Sequence, residues 1–257
     1  MDDNKGDSEF AGKKVFFLFP SATVQNGVIP ELVQNEYEVY LAYNKDTIRR
    51  VLRKYPDSIV LVDTGEKMPE REWEQWVRTV MKAPDTASIA IGVVTTHGEA
   101  ALKGKYLGEL KVAAGFTILG QDMAANIRTV FEALHGLDAK GRRKYVRAAD
   151  LDGNATINIP INGEFVKGRV RDISAVGISF DLEDSPAIEK NSVLKDVQIV
   201  LQSGRVNVEG ILFGSREGKT ETIYVMLFAQ KTDFEARAKI RKHVQHALQS
   251  RMDLELR

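Results

Sequence analysis

The hydrophobic period of the chain changes once, near Gly136, and that change decides what it can fold into. Before it, short apolar runs alternate with helical patterns. KVFFLFP (14–20), YEVYLAY (37–43), SIVLVDT (58–64), SIAIGVVTT (88–96) and GFTIL (115–119) read as strands. The first of these is continuously apolar and ends at Pro20, as a strand buried in a parallel sheet does. Between the strands, DTIRRVLRKYP (46–56) opens on a capping residue and sets Ile48, Val51, Leu52 and Tyr55 on one helical face. Residues 70–82 align Trp73, Trp76, Val77 and Val80 in one stripe, and a helix from about Asp122 to His135 turns Ile127, Val130, Phe131 and Leu134 inward. This alternation predicts βαβ units, an α/β domain whose parallel sheet is covered on both faces.

After Gly136 the period becomes two. The segment LDAKGRRKYVRAADLDGNA carries much charge and little apolar periodicity, so it reads as linker and loop. From Ala155 onward come six short strand patterns, ATINIPI, EFVKGRVRDI, VGISFDL, DVQIVLQ, RVNVEGILFG and TIYVMLFA, separated by Gly, Asn, Asp and Ser. Short strands with turn signals between them predict a small antiparallel barrel. A terminal helix from Asp233 to about Arg251 places Phe234, Ala238, Arg241 or Lys242, Gln245 and Leu248 on one thin face, for packing on the barrel or on a partner. The expected plan is a flexible tail (1–12), an α/β domain (13–136), a linker bearing an arginine loop (137–149), an all-β barrel (150–232) and a C-terminal helix (233–257).

Composition narrows the function classes. The 257 residues suit two modest domains. Lys plus Arg and Asp plus Glu are equal at 36 each, so no bulk field draws the molecule to nucleic acid or a membrane, and any anion site is local. The absence of cysteine removes disulfides, thiolate metal sites and cysteine nucleophiles together. The start MDDNKGDSEF is acidic and polar, unlike a signal peptide, and no apolar run approaches the roughly 20 residues that span a bilayer. A cytoplasmic protein without membrane insertion is expected. His97, His135, His243 and His246 are the only histidines; the last two share a helical face but have no third ligand, and are expected to be solvated with no metal bound. GKYLGELKVAAG lacks a phosphate-loop lysine pattern, and no nucleophile and base pair emerges, so no catalytic residue is assigned and the chain is read as a non-enzyme.

Two segments carry chemistry. Lys140-Gly-Arg-Arg-Lys-Tyr-Val-Arg147 is strongly basic and holds no acid; alone it reads equally well as a solvated linker. Arg171-Asp-Ile-Ser-Ala-Val-Gly177 stands at a strand-to-strand junction, where Asp and Ser can also cap their own backbone. Together, Arg143-Lys-Tyr-Val-Arg147 and Asp172-Ile-Ser-Ala-Val-Gly177 resemble the PilZ family, whose two motifs are RxxxR and [D/N]xSxxG, over residues 141–230. The resemblance implies a receptor for cyclic di-GMP. Arginine suits that ligand, because its planar fork pairs with phosphate oxygens or a guanine edge and stacks on rings. By the same resemblance Arg143 and Arg147 hold the ligand, Asp172 accepts from a guanine edge, Ser174 offers a hydroxyl to ligand or backbone, and Gly177 permits close approach. Arg142 stands where similar proteins stack on a second ligand molecule, which favours an intercalated dimer of cyclic di-GMP. Lys144 and Tyr145 lie inside the motif, either at the ligand or in solvent. The family also implies control of motility, adhesion or virulence through a protein partner.

The N-terminal half resembles the receiver domain of response regulators. Asp63 ends the third strand, where a phosphoacceptor sits, and Thr95 or Thr96 ends the fourth. The acids that hold Mg²⁺ after strand one are replaced by Phe19-Pro20-Ser21-Ala22-Thr23, and Thr117-Ile-Leu-Gly-Gln121 contains no lysine. Without the metal the phosphoryl charge is poorly neutralised, so a degenerate, pseudo-receiver domain is expected, with an unrelated α/β interaction domain as the other reading. For the whole chain, the alternative to a nucleotide receptor is a response-regulator-type interaction module independent of nucleotide. A nucleic-acid-binding barrel is disfavoured by neutral charge and by strands without interleaved aromatic and basic residues.

Overall fold

The computed structural model describes residues 12–65, 67–150, 153–218 and 221–257. Apart from Gly12, the expected tail lies outside the described residues. The chain divides into two compact units, one ending at Lys144 and rejoined by Gln249–Arg257, the other spanning Tyr145–Leu248.

The first unit is built on five parallel strands, β1 (Val15–Leu18), β2 (Val39–Ala42), β3 (Ile59–Asp63), β4 (Ala90–Thr95) and β5 (Phe116–Ile118), in the order β2-β1-β3-β4-β5. That order is the doubly wound one of flavodoxin and CheY. Val15, Phe17, Ile59 and Leu61 share a core with Val24, Leu32, Val130 and Leu134, and the intervening Phe16, Leu18, Val60 and Val62 are equally buried. A sheet covered on both faces requires this, and it explains why β1 and β3 read as continuous apolar runs. The helices α2 (Lys45–Leu52), α3 (Glu70–Lys82) and α5 (Met123–Gly136) fall where periodicity predicts them. Asn44 and Asp122 cap α2 and α5 by accepting from two backbone N–H groups each. Two helical segments carry no sequence expectation. A π-helical turn (Val24–Val28) leads into α1 (Ile29–Gln34), and α4 (Ala100–Lys103) leads into another (Gly104–Glu109) that buries Tyr106. Pro30, at the junction between the π-helical turn and α1, masks the first in the sequence.

The second unit is antiparallel throughout: β6 (Arg147–Ala149), β7 (Thr156–Ile161), β8 (Glu164–Ser174), β9 (Gly177–Leu182), β10 (Val193–Leu201), β11 (Gly204–Glu217) and β12 (Thr222–Phe228). The sheet runs β6-β8-β7-β10-β11-β12-β9, and the β8–β9 pairing closes six of these strands into a barrel. Its core holds Ile157, Ile159, Val170, Ile173, Phe180, Val197, Ile199, Leu212 and Met226, with the Phe180 and Tyr224 rings stacked at 5.5 Å. Each such aliphatic side chain contributes about 1.5–3 kcal/mol by leaving water.

The terminal helix α6 (Phe234–Glu255) is present, but its buried face is not the one expected. Ala236, Ile240 and Val244 enter the barrel core at i, i+4, i+8, whereas Phe234 is 65% exposed. His243 is also a correction: it is 4% exposed and neither ring nitrogen has a hydrogen-bond partner, so it is a core residue rather than a solvated one.

Candidate functional site: one outer face of the barrel

Strand pairing assembles the second motif. Arg147 on β6 stands opposite Ser174 on β8, and Ser174 stands opposite Gly177 on β9. Asp172 lies between Ala149 on β6 and Ser179 on β9. Arg147, Asp172, Ser174 and Gly177 thus share one patch. Arg147 Nε lies 3.4 Å from Asp172 Oδ1, with the arginine side chain about half exposed. Ser179 Oγ donates to the other carboxylate oxygen, Asp172 Oδ2. Ser179 belongs to neither motif; its signal is positional, since an even offset from Gly177 on a strand keeps a side chain on the same face.

Ser174 is buried. Its hydroxyl donates to Gly177 O at 3.2 Å and accepts from Val176 N at 3.5 Å, so it ties the turn to itself. Gly177 is fixed by the adjoining strand, because a Cβ there would lie 2.8 Å from Met226 O. A second unexpected residue supports this turn from outside. Arg237, in the first turn of α6, donates to the carbonyls of Ala175 (3.2 Å), Ala229 (3.0 Å), Gln230 (3.3 Å) and Thr232 (3.4 Å). Ala175 is inside the motif, so one guanidinium joins the turn, the end of β12 and the helix start.

The face exists because β8 bulges. Val170 pairs with Phe180 and Asp172 with Ser179, leaving Arg171 as an extra residue. Arg171 donates through Nε to Asp181 Oδ2 (2.5 Å) and through a terminal nitrogen to Glu221 Oε1 (2.5 Å), while Arg169 Nε reaches Asp181 Oδ1 (3.2 Å).

The basic cluster falls across the unit boundary. Arg142 (exposed) and Arg143 (half-buried) belong with the first unit and lie in irregular backbone, with exposed Lys144; half-buried Tyr145 and exposed Arg147 belong with the second. Arg147–Ala149 is a strand where linker was expected, because three residues in a charged run carry too little pattern to show one.

In the first unit, Asp63 ends β3 and is 4% exposed. Its carboxylate accepts from Ser21 N (2.8 Å) and Gly65 N (3.2 Å). Buried Thr95 accepts from His97 N at 3.1 Å. The aspartate is therefore held by two backbone donors at the C-terminal end of β3. Among the described residues no group of three or more His, Asp or Glu is disposed to bind a metal ion, and no helix is long and apolar enough to cross a membrane.

A closed antiparallel barrel with an arginine-rich approach segment and an Asp-x-Ser-x-x-Gly turn on its outer face defines a small β-barrel module joined to a doubly wound α/β unit. Residues 141–246 match the family model described as PilZ domain. No curated protein matches the chain. Among solved structures it is similar to the PilZ domain of YcgR from Escherichia coli with c-di-GMP (16% identity, 44% of this chain and 95% of that one, TM-score 0.37). It is similar also to the K. pneumonia MrkH–c-di-GMP complex (16%, 40% and 51%, TM-score 0.36), about half of whose length it spans. A response regulator from Burkholderia multivorans is a third (22%, 47% and 94%, TM-score 0.35).

Proposed function

We propose that the chain is a cyclic di-GMP receptor without catalytic activity of its own. The observation that carries this reading is the patch Arg147–Asp172–Ser174–Gly177, gathered by β6, β8 and β9 in a domain whose family model matches. The carboxylate of Asp172 is oriented by Ser179 and partly open, which suits acceptance from the N1–H and N2–H₂ edge of a guanine. Among the described residues the Arg147 side chain is held by a half-exposed ion pair, worth at most about 1 kcal/mol, so it reorients to a phosphate at little cost. Arg143 and Arg142 complete the RxxxR approach, and Arg142 favours a stacked pair of nucleotides. Ser174 and Gly177 act by shaping the turn.

Because the approach arginines lie in the segment joining the two units, nucleotide capture there acts on that segment and so on the presentation of the receiver-like unit to a protein partner, in the cytoplasm and in control of motility or virulence. The receptor engages neither nucleic acid nor membrane. Calorimetric titration of cyclic di-GMP into the full chain tests the reading. Wild type binds; Arg143→Ala and Asp172→Ala each lose at least tenfold, the loss of one charge-assisted contact at 1.4 kcal/mol or more. Absent wild-type binding, or equal binding across the three proteins, rejects it in favour of a nucleotide-independent interaction module. Two nucleotides per chain in wild type and one in Arg142→Ala support the stacked pair; one in both rejects it.

A further inference from the structure

We infer that Arg171 is a positioning residue for the nucleotide face: clamped by Asp181 and Glu221, it holds the bulge that turns Asp172 outward and Ile173 into the core. The inference rests on the cyclic di-GMP reading for its consequence, and on geometry alone for its cause.

The geometry is a matter of parity. In a regular strand alternate residues face one side, so a slip of one residue exchanges the two faces. Gly168 and Val170 on β8 face inward, opposite inward-facing Leu182 and Phe180. Continued regularly, Asp172 and Ser174 would enter the core and Ile173 would stand in solvent. Instead Ile173 is fully buried beside Ala148 and Ile178, and Asp172 pairs with outward-facing Ser179. The extra residue at Arg171 produces this change. A bulge leaves a residue without its ladder partner and needs something else to hold it. Arg171 supplies that through its side chain, with two carboxylates on two different strands, or just before one: Asp181 on β9 and Glu221 at the start of β12. Asp181 is only 5% exposed and carries Arg169 on its second oxygen, so the anchor is rigid and its charge is matched. The clamp shares no bonded partner with Asp172, which keeps its own, Ser179 and Arg147. Arg171 therefore acts through the backbone.

The test uses the full chain with two readouts. In the absence of nucleotide, amide hydrogen exchange at Asp172, Ile173 and Ser174 is expected to quicken at least tenfold in Arg171→Ala. Exchange at β7 and β10 stays near wild type. Glu221→Gln, which removes one arm of the clamp and leaves the arginine, gives a smaller change in the same direction, and it carries the test should Arg171→Ala fail to fold. Cyclic di-GMP affinity is then expected to fall about tenfold in Arg171→Ala. Introduced on top of Asp172→Asn, the same change costs less than threefold, because the group being positioned is already altered. An equal loss in both backgrounds identifies Arg171 as a direct ligand contact and overturns the inference, as does unchanged exchange at residues 172–174. Failure of wild type to bind the nucleotide rejects the receptor reading instead, while the exchange readout still decides the clamp.

Discussion

Ser179 and Asp63 show how much of a site depends on the partners of an acid. Asp172 faces outward with its carboxylate held on one oxygen by Ser179 and approached on the other by Arg147. Replacing Ser179 by alanine leaves that carboxylate less fixed and frees it to turn toward Arg147. Cyclic di-GMP affinity in Ser179→Ala is expected to fall three- to tenfold by calorimetry, since hydrogen bonds to charged groups contribute about 1.5–3 kcal/mol and part is recovered by water. Asp63 is the opposite case, a buried carboxylate already satisfied by Ser21 and Gly65 N–H donors. Incubation with a small phosphodonor and Mg²⁺ is expected to leave the intact mass unchanged; a gain of one phosphoryl group lost in Asp63→Asn would refute this. The sequence exposed Asp172 and Asp63 through motif and strand end. Ser179, Arg237 and the Asp181–Arg171–Glu221 clamp stayed hidden, because their partners lie on other elements and only the closed barrel brings them together.

The elements themselves were legible where period and burial agree. The helix at 70–82 and the five parallel strands follow from apolar spacing, and the barrel strands from alternation. One further cue was present in β8: its inward residues step Val166, Gly168, Val170 and then Ile173, and the final step of three marks the bulge. The face of α6 was not legible, because its apolar residues are sparse and the buried stripe runs through Ala236, Ile240 and Val244 instead of the bulkier Phe234. Two predictions belong to this helix. Arg237→Ala leaves four carbonyls without their charged donor and is expected to lower barrel stability by about 1–3 kcal/mol, read from the denaturant midpoint. His243 has its pKa lowered from 6.5 by burial, with Asp150 opposing and His246 adding to the shift. The unfolded chain then binds the proton more readily, so stability falls as pH drops below about 6.5. Melting temperatures at pH 7.5 and 5.5 are expected to differ more in wild type than in His243→Leu.

At the level of the molecule, the two units have separate hydrophobic clusters, one within the α/β sheet and one within the barrel. Cyclic di-GMP at a hundredfold excess over its Kd stabilises only what it binds, by about 2.7 kcal/mol, so calorimetric scanning is expected to shift the barrel transition. The last nine residues matter to the other unit. Gln249 accepts from Leu41 N (2.8 Å) and donates to Leu41 O (3.0 Å), and Glu255 accepts from Tyr55 (2.9 Å) and Lys54 (3.1 Å), where burial and the Glu255 contacts push the Tyr55 phenol up to about 12. Truncation after Leu248 is expected to lower the α/β transition while leaving nucleotide affinity within twofold of wild type.

Leu41 belongs to β2, which among the described residues has a strand partner on one side only. The Gln249 amide offers its backbone the donor and acceptor that a neighbouring strand would offer. A sheet margin left open is a template on which other chains nucleate. The terminal residues therefore also serve solubility: a chain clipped behind the barrel would keep its ligand site yet present a sticky border, and it is this species, ahead of any misfolded one, that light scattering should find growing into aggregates.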